Sequence, residues 1–250
     1  MMNAFNSYPN YQTEDFKTFE EKDLKPIKDI SENLRKGFIR KVYGILSIQL
    51  LTTAIFSLLT IKFSFIQQFM LNHILISNIM LILTFILPFL IVCNISLMNK
   101  IPYNYLILFL FTFAESYLIA FICAFTKGNL VFIAALMTFI MVLSLTYYAY
   151  TTENDMTTQG TTLFIFSIGL FLFSFFGIFT NNKLFHIFIC CAGVILFGFY
   201  LVYDTQIILG TKNEMIEMDN YIIGAFILYT DIVYIFMKIL ELLQYLENKE

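Results

Sequence analysis

Four ionisable side chains sit inside long apolar runs of this chain: Glu115, Asp204, Asp231 and Lys238. On insertion scales a charge at the centre of an apolar span costs roughly 2.5–3.5 kcal/mol, so such residues face one another or water and mark ion or proton paths. Asp204 and Asp231 are the two that can do chemistry together. Two carboxylates in a low-dielectric site cannot readily both ionise, so a close pair holds a shared proton near neutral pH. Their oxygens also suit a hard divalent cation such as Ca²⁺. Proton and Ca²⁺ would compete, since both neutralise the same charge. The pair reads as a pH-sensitive latch, a cation site, or both; service as an interhelical hydrogen-bond anchor is the plainer alternative. For Lys238 the plain reading is preferred: it snorkels outward or pairs with Glu241 at i,i+3. Glu115 divides evenly between a packing hydrogen bond and a functional role. His73 and His186 fall at span ends, where a solvated interfacial role is expected rather than metal binding.

The elements that must position these groups follow from hydropathy. Of 250 residues, 59% are hydrophobic and 13% charged, against about 45–50% and about 25% in soluble domains. One soluble core cannot hide that much apolar surface. Apolar runs of spanning length, which need about 20 residues, fall at 42–61, 74–98, 103–125, 130–150, 161–180, 184–210 and 222–243. They are continuous and about twice the length of a barrel strand, which excludes a β-barrel. The expected fold is all-α: a seven-span polytopic membrane bundle over residues 34–250, preceded by a mobile cytosolic tail at 1–33. Short polar connections make neighbouring spans antiparallel. No internal repeat is found.

Depth brings the aspartates together. Asp204 lies six residues before Gly210, about 9 Å from that end of its span, and Asp231 nine after Ile222, about 14 Å from the same side. Residues 1–41 hold Lys17, Lys22, Lys25, Lys28, Arg35, Lys36, Arg40 and Lys41, against Glu14, Asp15, Glu20, Glu21, Asp23, Asp29 and Glu32. The last basic cluster abuts the first apolar run, which is a topology signal and not a nucleic-acid patch. With Lys100 and Lys212 it sets the N-terminus in the cytosol, opposite Lys62, Lys127, Lys183 and Lys249. Seven full crossings put the C-terminus on the far side; an incomplete last crossing would return it. Cys93, Cys123, Cys190 and Cys191 all lie in apolar stretches and imply no disulfide framework or zinc site. No signal peptide is visible. Asn94-Ile-Ser96 fits a glycosylation pattern but falls inside a span, out of reach.

Gly198-Phe-Tyr-Leu-Val-Tyr-Asp-Thr-Gln206 resembles the sixth-span signature of the Bax inhibitor family, the transmembrane Bax inhibitor motif proteins. Ala225-Phe-Ile-Leu-Tyr-Thr-Asp-Ile-Val-Tyr-Ile-Phe236 resembles the seventh-span stretch of that family, again built around an aspartate. Phe113-Ala-Glu-Ser116 and Thr152-Glu-Asn-Asp-Met-Thr157 are similar to segments of its Lifeguard branch. The resemblance covers about residues 33–245. It implies seven helices with the last one central, and a pH-sensitive Ca²⁺ leak gated by a di-aspartyl pair. It implies no enzyme and no cofactor beyond Ca²⁺ as the permeant or regulatory ion. It further implies an endoplasmic reticulum or Golgi membrane (the plasma membrane being the other option) and a link to cell death, with death regulators or Ca²⁺ channels as partners. The carried-over residues are Asp204 and Asp231, for gating and Ca²⁺ binding, with Glu115 in support. Three departures stand out: Ile227 replaces an asparagine, Ser116 a glycine, and the second span has no arginine to pair with an aspartate as in some bacterial relatives.

Three other readings compete. A scaffold that transports nothing would use the mixed-charge segment 14–41 for docking. A proton-coupled Ca²⁺ exchanger would use the same aspartates. An intramembrane aspartyl protease also begins with Tyr-Asp, as in Tyr203-Asp204, but its second aspartate follows Gly-x-Gly, where this chain has Leu228-Tyr-Thr-Asp231.

Overall fold

The computed structural model describes residues 13–94, 100–210, 216, 217 and 220–247. Lys212, Lys249, Met98 and Ser96, which entered the readings above, lie outside them. Among the described residues every regular element is helical: α1 (Thr13–Lys62), α2 (Ser64–Asn72), α3 (Ile74–Cys93), α4 (Tyr103–Ala124), α5 (Gly128–Thr151), a short 3-10 turn (Thr157–Gln159), α6 (Gly160–Gly177), α7 (Lys183–Leu209) and α8 (Tyr221–Glu247). Continuous Leu, Ile and Phe runs without Gly or Pro clusters propagate as helix, and lipid demands it because every backbone polar group must be satisfied internally. Seven helices are long and apolar enough to cross a membrane: α1 from Glu32 onward, α3, α4, α5, α6, α7 and α8. Five of them lie within a few residues of the expected spans; the first begins about ten residues earlier than 42, and α3 ends at Cys93, short of 98, which puts Asn94 at its end and not inside it. The connection between the first two spans is itself partly helical, as α2. Helix α1 also takes in residues 13–31, part of the stretch expected as a tail.

Helix α8 runs for 27 residues, about 40 Å at 1.5 Å per residue, enough for a full crossing. Its last turn is fixed beside the α4–α5 connection, where Lys127 Nζ donates to Glu247 Oε1 at 2.9 Å. The two ends of α8 therefore lie at opposite ends of the bundle. In its apolar stretch 61% of the residues are buried, against 11% in that of α6. Helix α8 packs against α1, α4, α5 and α7 and is the axis of the bundle. The outer faces of the other helices carry large exposed apolar side chains such as Phe85, Phe89, Phe132, Phe166 and Phe171. Apolar surface on that scale needs hydrocarbon as its solvent. The protein is an integral multi-pass membrane protein.

The interior is layered around α8. Phe38, Val42 and Leu46 of α1 join Ile208 of α7 and Ile222, Ala225 and Tyr229 of α8 in one apolar cluster. Between α1, α4 and α8 runs a polar seam. Gln49 Nε2 donates to Thr112 Oγ1 at 2.9 Å, while Thr53 Oγ1 bonds Ser116 Oγ at 2.9 Å and the Tyr229 hydroxyl at 2.8 Å. Such hydrogen bonds hold helices together in a medium that offers no water.

Candidate functional site: a carboxyl pair between α7 and α8

Asp204 lies five residues before the end of α7 and Asp231 ten after the start of α8, at depths of about 8 Å and about 15 Å. The short connection makes the two helices antiparallel neighbours. Their faces match as well as their depths: the two carboxyl groups are neighbours, within electrostatic reach of each other. A carboxylate only accepts, so a hydrogen bond between them requires a proton on one partner, donated as an O–H to the other. Asp231 is 6% exposed and Asp204 is partly buried. Asp231 Oδ2 has no protein donor, an orphaned acceptor that suits a cation or a proton. Among the described residues no cluster of three or more His, Cys, Asp or Glu occurs. Two carboxylates alone fall short of the roughly six to eight oxygens that Ca²⁺ takes.

The residues after Asp204 position it. Successive side chains on a helix point about 100° apart, so each residue of Asp204-Thr205-Gln206 meets a different neighbour. Asp204 turns to α8. Thr205, fully buried, lies beside Tyr43 of α1. Gln206, also fully buried, binds the α5–α6 connection with both ends of its amide: Oε1 accepts from Met156 N at 2.8 Å and Nε2 donates to Asn154 O at 3.0 Å. That connection starts α6 through Asp155, whose Oδ1 accepts from the Thr157 backbone at 3.0 Å and from its hydroxyl at 2.6 Å. Gly160 then passes so close to Tyr203 that a Cβ would sit 2.8 Å from the phenol oxygen. Sequence reading missed the function of Gln206, although its signal was present: an amide fixed in the signature beside an aspartate.

The other groups separate from the pair. Glu115 is 8% exposed and lies within electrostatic reach of Tyr229 and Tyr234 on α8, not in the carboxyl contact. Lys238 pairs with Glu241 at 2.8 Å, the i,i+3 arrangement expected of it, while its methylenes cover Gly193 of α7. His186 stacks on Tyr245 with ring centres 5.1 Å apart and bonds Thr180 O at 2.8 Å. His73 stacks on Phe69 at 4.4 Å and bonds its carbonyl at 2.8 Å. All four cysteines are free.

The family model described as "Inhibitor of apoptosis-promoting Bax1" matches residues 35–248. The chain is 34% identical to Protein LIFEGUARD 2 of Arabidopsis thaliana over 90% of its own length and 94% of that protein. It is 31% identical to Protein lifeguard 3 of Homo sapiens over 84% and 69% of the two chains, and 31% identical to Protein lifeguard 4 of Mus musculus over 89% and 91%. With the match running across all seven spans and both aspartate helices, the chain belongs to the Bax inhibitor family of apoptosis-regulating membrane proteins, where its relatives carry the Lifeguard name.

Proposed function

We propose that this protein is a pH-sensitive Ca²⁺ leak, gated by Asp204 and Asp231, in an endoplasmic reticulum or Golgi membrane. Through that leak it would regulate Ca²⁺ homeostasis and cell death. One observation carries the reading: a buried and a partly buried carboxyl group on adjoining helices are neighbours, and one oxygen of Asp231 has no protein donor. A shared proton ties α7 to α8 at this point. Its loss leaves two like charges in contact, which either part or take up a cation. Ca²⁺ binds only the deprotonated oxygens, so acid opposes it and apparent Ca²⁺ affinity rises with pH across the titration of the pair. Glu115, buried beside α8, supports the path as a further acidic group.

The test is Ca²⁺ flux through the purified protein in liposomes across a pH series. Asp204→Asn and Asp231→Asn are each expected to abolish the pH dependence. Unchanged pH dependence in both variants refutes di-aspartyl gating. A protein that passes no Ca²⁺ at any pH is the scaffold, and a flux that runs only with an imposed proton gradient is the exchanger.

A further inference from the structure

The basic cluster ahead of the first span contains one residue that behaves unlike the rest. Lys36, Arg40 and Lys41 are exposed, whereas Arg35 is partly buried and its guanidinium lies over the ring of Phe38 at 4.7 Å. Nη2 donates to Ile207 O at 2.6 Å, and Nη1 donates to Ile216 O at 2.7 Å. Nε is buried without a partner. The ion pairs among the described residues, Lys127–Glu247 and Lys238–Glu241, do not include Arg35.

Position explains this choice of partner. The last carbonyls of a helix have no intrahelical donor and carry the negative end of its dipole. Arg35 meets that end on α7, three residues beyond Asp204. The flat guanidinium fork can bond two acceptors from two segments at once, which an ammonium point charge cannot do in the same geometry. The chain makes room for it. Gly210, which ends α7 with φ 63°, has Arg35 Nε 2.6 Å from where a Cβ would stand. Above this contact lie Val42, Ile208, Ile222 and Gly224, close-packed across α1, α7 and α8. Beyond them is the carboxyl pair.

We propose that Arg35 is a positioning residue that clasps α1 to the end of α7, closing this end of the bundle over Asp204 and Asp231. Release of its two carbonyl bonds is the step that admits water and cations to the pair. The chain lacks an arginine in its second span; Arg35 does a related job from the first, and does it through backbone carbonyls instead of a carboxylate. The inference rests on the leak reading for its functional consequence but not for its structural test.

That test places a reporter at the closed seam. Thr205 is fully buried and its hydroxyl has no partner, so Thr205→Cys is a mild change. A membrane-impermeant maleimide is added on the Arg35 side of sealed proteoliposomes, and labelling above that of the protein without the new cysteine is timed. Arg35→Gln is expected to speed labelling about tenfold or more, the scale set by losing two charge-assisted bonds; Arg35→Lys, which keeps the charge but not the fork, falls in between. Lys36→Gln leaves the rate unchanged. Ca²⁺ flux rises in Arg35→Gln and the midpoint of its pH profile moves toward acid, because a closed state without its clasp needs less deprotonation to open. Labelling at the parent rate in both Arg35 variants, or the same acceleration in Lys36→Gln, overturns the clasp. Should Arg35→Gln fail to fold, Arg35→Lys alone decides. Persistent pH dependence in the asparagine variants would sink the gating reading and leave the labelling result standing.

Discussion

Gln206 offers the sharpest test of how the sequence signature works, because its side chain makes two bonds to backbone and no others. Gln206→Leu keeps the volume and removes both bonds. Each neutral hydrogen bond is worth about 0.5–1.5 kcal/mol net, and an abandoned buried partner costs about 1–3 kcal/mol. The surroundings decide between these limits. Asn154 is exposed and Met156 partly so, so the carbonyl regains water and only the Met156 N–H is left short. The expected loss is therefore about 2 kcal/mol. For a chain of this size each kcal/mol shifts the melting temperature by about 2–4 °C, so thermal unfolding in detergent should fall by roughly 4–8 °C. Gln206→Glu keeps the acceptor for Met156 but sets a carboxylate against the Asn154 carbonyl, and it should lose more. Hydrogen exchange supplies the local readout: the Met156 amide exchanges faster in Gln206→Leu, while amides in the middle of α8 do not. A melting point within about 1 °C of the parent, with the Met156 amide still protected, would refute the argument that this amide holds the α5–α6 connection.

Two further variants probe the packing around the pair. Tyr229→Phe removes the hydroxyl that meets Thr53 Oγ1 at 2.8 Å, yet Thr53 keeps its bonds to Gln49 O and Ser116 Oγ; a loss of about 1 kcal/mol in thermal stability is expected, and a loss above about 3 kcal/mol would mean the seam is held differently. Gly210→Ala meets both the positive φ, worth about 1 kcal/mol, and the guanidinium in its Cβ space. Its destabilisation should shrink when combined with Arg35→Gln, and strict additivity of the two changes would show that Arg35 does not occupy that space.

Much of the fold was legible because lipid makes helices compulsory: uninterrupted apolar runs of spanning length have no other way to satisfy their backbone. The central place of α8 was not readable from hydropathy. Its mean apolarity is no higher than that of its neighbours, and only the small and polar residues Gly224, Ala225, Tyr229 and Asp231 along its faces distinguish it, by what packs on them. The carboxyl pair was legible by depth, since two acids at similar distances from one connection must meet if their faces agree. The facing itself needed coordinates. Arg35 was read as a topology charge like Lys36 and Arg40, because nothing in a sequence tells a solvated arginine from one aimed at carbonyls more than 170 residues away.

The end of α7 is built so that one turn of helix serves three neighbours. Asp204 faces Asp231 of α8, Thr205 meets α1 and Gln206 holds the α5–α6 connection. One residue further, the Ile207 carbonyl takes Arg35. A helix end tied on every side cannot move for one neighbour alone: shifting α7 to part the carboxyl groups also loads the Gln206 and Arg35 bonds. Under the proposed gating, the energy separating the joined and parted arrangements is then the sum of several modest terms, of which the proton at the pair is one. If the proposed gating holds, weakening any one tie raises the open share at a given pH and moves the midpoint of the response toward acid, while the pH dependence itself still requires Asp204 and Asp231.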